Sequence, residues 1–377
     1  MSPLAQWSRA ARALVLAVAG VCLAGCGPVI DNPNAVQTET KPTNESLHLD
    51  SSLSLLAREG FLAPSVLNEF THSYGVAINV KTYATLEELY QLVRTGQYDL
   101  GLMSGTPVES LIAEGALAEL DHGALTNLHN LEHVFERSPI DPEHHFAIPY
   151  MWQTIGIGYN IAFDTDIPLS WKDLLEPRSE SLEKQHEMKQ KIAMFNEGRY
   201  VIGAALIYLG LSPNTRDPEQ IAKAADLLKR QRPFVMAYED RNAEKYLASG
   251  KAILDQAWSS DIARARKLNP KVRYSIPKEG VIIFMDHFVT FKKSTRRATA
   301  HHLIDYLLLP SIAARNSNYS LVASADHAAR PFIDREVLNG PAYELPENED
   351  LMFFLQAVDP TTSDLYERIW QEVKTSE

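Results

Sequence analysis

The side chains of this chain offer little for covalent chemistry. There is no Gly-x-Ser-x-Gly nucleophile turn, no phosphate loop ending in Gly-Lys-Ser/Thr and no His-Glu-x-x-His pair, and Gly156 and Gly158 lack the rest of a dinucleotide fingerprint. His144 and His145 are adjacent, as are His301 and His302. Neighbours in a strand or helix point to different faces, so neither pair alone makes a metal site. Neither catalysis nor a cofactor is expected. What remains is charge and aromatic surface, the means of non-covalent capture. Forty-eight acidic residues against 36 Lys and Arg give a net charge of −12. Such a surface repels phosphate backbones and argues against nucleic acid as a partner; it fits cationic ligands and ordinary solubility equally well.

The N-terminus carries a second kind of signal. Arg9 and Arg12 precede the apolar run Ala13 to Ala24, too short to span a bilayer, so residues 1–25 read as a secretory signal peptide. The run ends in Leu23-Ala24-Gly25-Cys26, which resembles the lipobox of bacterial lipoproteins. That resemblance implies a lipid anchor on the Cys26 thiol, loss of Cys22 with the leader, and a periplasmic or otherwise extracytoplasmic protein tied to a bacterial membrane. A mature chain with Cys26 alone has neither a disulfide framework nor a cysteine-based zinc site. No later stretch reaches about 18 uninterrupted apolar residues, the length a membrane span needs.

Any capture site must be positioned by the elements around it. The 377 residues suit two lobes, and 45% hydrophobic with 22% charged residues is globular composition. Residues 26–52, rich in Asn, Thr, Pro and Glu, bury too little to order themselves and read as a flexible tether. Leu53 to Leu56 reads as a strand, followed by a helix with Val66, Leu67, Phe70 and Tyr74 on one face. Val76 to Thr82 alternates as a strand, Thr85-Leu86-Glu87-Glu88 opens a helix, and Tyr98 to Met103 returns as a strand. Ile192 to Phe195, Ala252 to Gln256 and Val281 to Phe291 read as further strands. Tyr200 to Leu209 and Ala298 to Leu309 read as helices, and Asp217-Pro218-Glu219-Gln220 starts another. Strands alternating with helices predict an α/β fold with mostly parallel sheets. Glu176 to Lys191 is unusually charged and reads as a solvated loop or helix face.

Several collinear stretches resemble the spermidine/putrescine-binding protein family: Leu67-Asn68-Glu69-Phe70, Tyr98-Asp99-Leu100, Leu125-Thr126-Asn127-Leu128, Ile148-Pro149-Tyr150-Met151-Trp152, Ser170-Trp171-Lys172-Asp173-Leu174, Pro277-Lys278-Glu279-Gly280 and Met285-Asp286. The resemblance covers about residues 53–374. It implies the type II fold of periplasmic solute-binding proteins, with two lobes joined by crossing hinge strands and the ligand clamped between them. One lobe would take residues 53–159 plus 287–325, the other 160–286 plus 326–377.

A polyamine presents ammonium groups along a methylene chain, so its site needs carboxylates and aromatic faces. By resemblance, Asp286 is the acid that grips an amine, Phe284 and Trp258 are cleft aromatics, and Glu197 stands for an aspartate at a helix start. Arg199 matches an arginine that orders neighbouring carboxylates, while Ser104, Tyr319 and Gln356 match polar cleft positions. The departures are specific. Where the family has Trp-Thr-Glu-Tyr, this chain has Arg58-Glu59-Gly60-Phe61, which places a cation near the mouth; Thr106 and Tyr200 replace a tyrosine and a glutamate. The resemblance therefore implies capture of a small cationic amine and delivery to an ABC permease in the inner membrane. The ligand is left open among a polyamine, a shorter diamine and an amino-acid-like amine whose carboxylate meets Arg58. A sensing or interaction lipoprotein that signals to a membrane receptor is the alternative.

Overall fold

β-branched runs and amphipathic stretches alternate along the chain, and strands and helices alternate with them. The structure, a computed structural model, describes residues 48–83, 85–132, 135, 140–163, 167–177, 188–240 and 243–376. The expected signal peptide, Cys26, most of the tether and most of the charged 176–191 stretch lie outside them. The first half contains β1 (Ser52–Arg58), α1 (Pro64–Tyr74), β2 (Ala77–Tyr83), α2 (Leu86–Thr95), β3 (Leu100–Ser104), α3 (Gly105–Ala113) and β4 (Ala147–Asn160). Next come α4 (Trp171–Leu175), β5 (Ile192–Met194), α5 (Gly198–Tyr208), α6 (Pro218–Gln231), β6 (Val235–Tyr238), α7 (Ala243–Ser249), β7 (Leu254–Trp258), α8 (Ser259–Leu268), β8 (Val272–Ser275) and β9 (Val281–Thr290). The chain closes with α9 (Arg297–Leu307), α10 (Pro310–Ser320), β10 (Ala323–Ser324), α11 (Arg335–Leu338), β11 (Met352–Phe354) and α12 (Pro360–Thr375).

The helix-start signals act as their chemistry demands. Asp217 accepts a hydrogen bond from the Glu219 amide at 2.9 Å, with Pro218 in the first turn of α6. Thr85 accepts from Glu88 at 3.2 Å at the start of α2. Helix α1 ends on Gly75 at φ +67°, a left-handed position that costs glycine little.

The main path of the sheet runs β2-β1-β3-β9-β4-β7-β5-β6, with β8 and β10 pairing β4 and β11 pairing β9. The outer groups are parallel, β1 with β2 and β3, and β5 with β6 and β7. The middle is antiparallel, because β9 runs against both β3 and β4, and β4 against β7. The mostly parallel expectation is corrected accordingly: the sheet is mixed. Strand β4 has 14 residues, every one buried, and at about 3.4 Å per residue it spans about 48 Å, enough to cross two cores. Its Ile148, Met151 and Trp152 pack in one core and its Ile155 and Ile157 in another. Strand β9 does the same with Phe288 and Ile282. The result is the two-lobed solute-binding fold, with β4 and β9 as crossing strands. Residues 326–342, assigned to the second lobe on sequence, contribute Ala329, Ile333, Val337 and Ala342 to the first core.

Candidate functional site

Parallel strands in an α/β sheet present their carboxyl ends, and the loops that follow them, to one crevice. In the first lobe these ends carry Arg58 (β1) and Ser104 (β3); in the second they carry Phe195 and Glu197 (after β5), Asp240 (after β6) and Trp258 (β7). Asp286 lies on crossing strand β9, opposite Ser104 on one side and Met151 on the other. The register of β4 slips by one residue between Pro149 and Met151, beside Asp286. A bulge of this kind bends a strand and re-aims the side chains around it.

Asp286 is 1% exposed, and neither carboxylate oxygen has a hydrogen-bond partner. Burial pushes its pKa up, and the charge of Arg58 pulls the other way. A buried acid without partners is costly to keep unless something at the site uses it. Arg58 supplies the nearest opposing charge. It is half-buried over the Phe61 ring, with its guanidinium carbon 5.6 Å from the ring centroid and Nε unpartnered. Its guanidinium bonds the Tyr83 hydroxyl, directly across the β1–β2 register, and Tyr83 in turn donates to the Leu102 carbonyl at 3.3 Å. Burial works against the Arg58 charge, but Asp286, Tyr83 and Tyr200 outweigh it and hold its pKa above the ordinary value. Burial pushes the Tyr83 hydroxyl up to about 12, against the pull of Arg58.

The second lobe brings an aromatic cluster. Trp258 lies 4.8 Å from Phe284 and 5.4 Å from Tyr200, Tyr200 lies 4.9 Å from Phe284, and Phe195 lies 5.3 Å from Trp258. The pairs are edge-on or tilted, as aromatic quadrupoles prefer. Burial raises the Tyr200 pKa, and the charges of Arg58, Glu197 and Asp286 all act on its hydroxyl. Tyr200 thus lies within electrostatic reach of both Asp286 and Glu197.

The other expected residues divide. Ser104 is buried opposite Asp286. Glu197 turns to its own helix: its Oε1 accepts from the Arg199 amide at 3.2 Å at the start of α5, and burial, reinforced by Asp240, raises its pKa. Arg199 lies 4.4 Å from the centroid of Tyr366 on α12 and reaches Asn214 and the Gln356 carbonyl, and burial lowers its pKa. Gln356 is exposed, its amide donating to Asn214 at 3.0 Å. Glu59 is exposed just after β1, and Tyr319 is 51% exposed on α10; no described contact of either reaches Asp286 or Trp258. Thr106 donates to the Leu355 carbonyl at 3.3 Å, and Glu109 accepts from the Ala357 amide at 2.7 Å, so α3 is strapped to the segment after β11.

Tyr83 is the member of this site that sequence reasoning missed. The only signal was its place opposite Arg58, visible once the pairing of β1 with β2 is known. Asp255 is a second buried acid with both oxygens unpartnered, but it shares the face of β7 with Ala257, away from Trp258. Among the described residues, no three His, Cys, Asp or Glu side chains gather as a metal site.

Residues 65–338 match the family model described as bacterial extracellular solute-binding protein. Among the relatives, the spermidine/putrescine-binding periplasmic protein of Salmonella typhimurium is 31% identical over 283 residues, which is 74% of this chain and 79% of that one. The putrescine/agmatine-binding protein of Pseudomonas aeruginosa is 28% identical over 331 residues, 84% of this chain and 89% of that one. The spermidine/putrescine transporter substrate-binding protein of Streptococcus pneumoniae superposes with a TM-score of 0.78 at 24% identity, covering 87% of this chain and 99% of that one. This chain accordingly belongs to the bacterial extracellular solute-binding proteins, in the family of the spermidine/putrescine-binding proteins, whose members are extracytoplasmic transport components rather than enzymes.

Proposed function

We propose that this protein captures a small ammonium-bearing solute between its lobes and delivers it to the permease of an ABC importer, held at the membrane by a lipid on Cys26. The observation that carries this reading is Asp286: a 1% exposed carboxylate with both oxygens unpartnered, on a crossing strand, near the Trp258–Phe284–Tyr200 cluster. An ammonium group is the natural complement of such an acid, and aromatic faces accommodate both its charge and its methylenes. The putrescine/agmatine-binding and spermidine/putrescine-binding relatives support the ligand class. Contacts from both lobes make closure the ligand-dependent step, since binding free energy then favours the shut form that a permease can read.

Calorimetry on ligand-free protein tests this, using putrescine, spermidine, agmatine and ω-amino acids against 1,4-butanediol as the uncharged control. At least one ammonium ligand is expected to bind and the diol is not. Silence across every ammonium ligand would remove amine capture as the function. For the anchor, detergent partitioning of the exported protein should follow Cys26, and Cys26→Ser should move it to the aqueous phase.

A further inference from the structure

The Asp286 neighbourhood contains its own cation. Arg58 enters from the end of β1, two strand spacings from Asp286 across β3, which is roughly 10 Å between Cα atoms. Tyr83 fixes one side of the guanidinium, while Nε is left without a partner and the side chain is only half-buried. The other acids nearby already hold a donor of their own. Glu197 caps α5 at 3.2 Å, Asp240 accepts from the Asn196 amide at 2.8 Å, and Asp261 pairs with Arg264. Among these acids Asp286 alone holds no donor, and Arg58 Nε holds no acceptor.

We infer that the cleft selects a dipolar ligand, an amino carboxylate whose ammonium meets Asp286 and whose carboxylate meets Arg58, in preference to a diamine. This rests on the amine-capture reading and narrows it. A diamine satisfies Asp286 and then brings its second ammonium towards a guanidinium in a site of low dielectric, where like charges repel strongly. An amino carboxylate meets opposite charge at both ends, and the planar guanidinium fork matches the geometry of a carboxylate. The unpartnered Asp286 carboxylate and the open Nε edge of Arg58 are then satisfied by one molecule.

Matched pairs of ligands read this directly. Putrescine and 4-aminobutanoate are similar in length and differ by an ammonium against a carboxylate at one end; the comparison extends to ω-amino acids of two to six carbons and their diamine counterparts. By calorimetry on the whole protein, at least one amino carboxylate is expected to bind about tenfold or more tighter than its matched diamine. Arg58→Gln should abolish or reverse that preference, and Arg58→Lys, which keeps the charge, should retain it. A diamine that equals or beats its partner throughout the wild-type series overturns the inference while leaving amine capture intact, and that arm needs no variant to fold. A preference that survives Arg58→Gln in a folded variant overturns the role of Arg58. No binding by either series removes the inference together with the reading beneath it.

Discussion

Asp286→Asn should move stability and affinity in opposite directions. In the empty protein the carboxylate is buried with both oxygens unpartnered, and its pKa is raised by burial despite Arg58. A raised folded-state pKa means that the charged form is disfavoured by the fold. An isosteric amide removes that charge while remaining a buried polar group, so the empty variant should gain the excess cost of burying the charge over the amide, on the order of 1–3 kcal/mol. At roughly 2–4 °C per kcal/mol for a chain of this class, the melting temperature at pH 7.5 should rise by about 2–12 °C. The gain depends on pH with a definite sign. The wild type escapes the penalty as pH falls and Asp286 protonates, so the two proteins should converge towards pH 4, near the unfolded pKa of about 3.9. Ligand affinity should drop, because a charge-assisted bond becomes a neutral one and the ammonium loses its counter-charge. A loss of about 2–4 kcal/mol corresponds to about 30- to 1,000-fold weaker binding. Calorimetric melts of ligand-free protein at both pH values, with titrations alongside, measure both effects. A variant that melts lower than wild type at pH 7.5 and binds ligand unchanged would show that Asp286 is a structural residue, and the reasoning would fail.

Other residues carry sharper structural expectations. Asp326 caps Ala328 and Ala329 through Oδ1, but its Oδ2 is buried without a partner, and burial pushes its pKa up to about 6. Its contribution to stability is full below the unfolded pKa and lost as pH rises through about 6. Denaturant melts at pH 4.5 and 7.5 should show a weaker pH dependence in Asp326→Asn. A Cβ on Gly156 would stand 2.5 Å from the Tyr274 hydroxyl and 2.7 Å from the Ser275 carbonyl oxygen, so Gly156→Ala should cost about 1–3 kcal/mol and lower the melting temperature. Arg199→Lys gives up the guanidinium stacking on Tyr366 and the fork to Asn214 and Gln356. It should lose about 1 kcal/mol of stability in the same melts with ligand affinity unchanged, because the side chain braces α12 and does not face Asp286.

Much of the fold was legible because its signals are local. The strand expected at Val281 to Phe291 is β9 (Val281–Thr290), the helix at Ala298 to Leu309 is α9 (Arg297–Leu307), and the Asp217-Pro218 start sits at the head of α6. Each follows from periodicity or a cap within a dozen residues. The antiparallel middle of the sheet was not legible, since it depends on β9 returning between β3 and β4 from far along the chain. The candidate site divides the same way. Asp286, Trp258 and Phe284 could be named, and Arg58 was expected only as a cation near the mouth; its electrostatic pull on Asp286 was not visible in the sequence. Its support, Tyr83, is 25 residues away in sequence and next to it only through strand pairing. Glu197 kept the expected place while its side chain turned to the helix start, a choice made by the Arg199 amide that residue type alone does not reveal.

The seat of β9 between β3 and β4 also bears on how this chain is made. When the first 160 residues have emerged, β3 and β4 exist as sequence, but the strand that joins them lies more than a hundred residues downstream. Long-range pairing of this kind is slow, because the loop must close before the contacts reward it. In a nascent chain of this design the joining of β3 to β4 waits until most of it has been synthesised, a useful trait for a polypeptide that must thread through a membrane before taking shape on the far side.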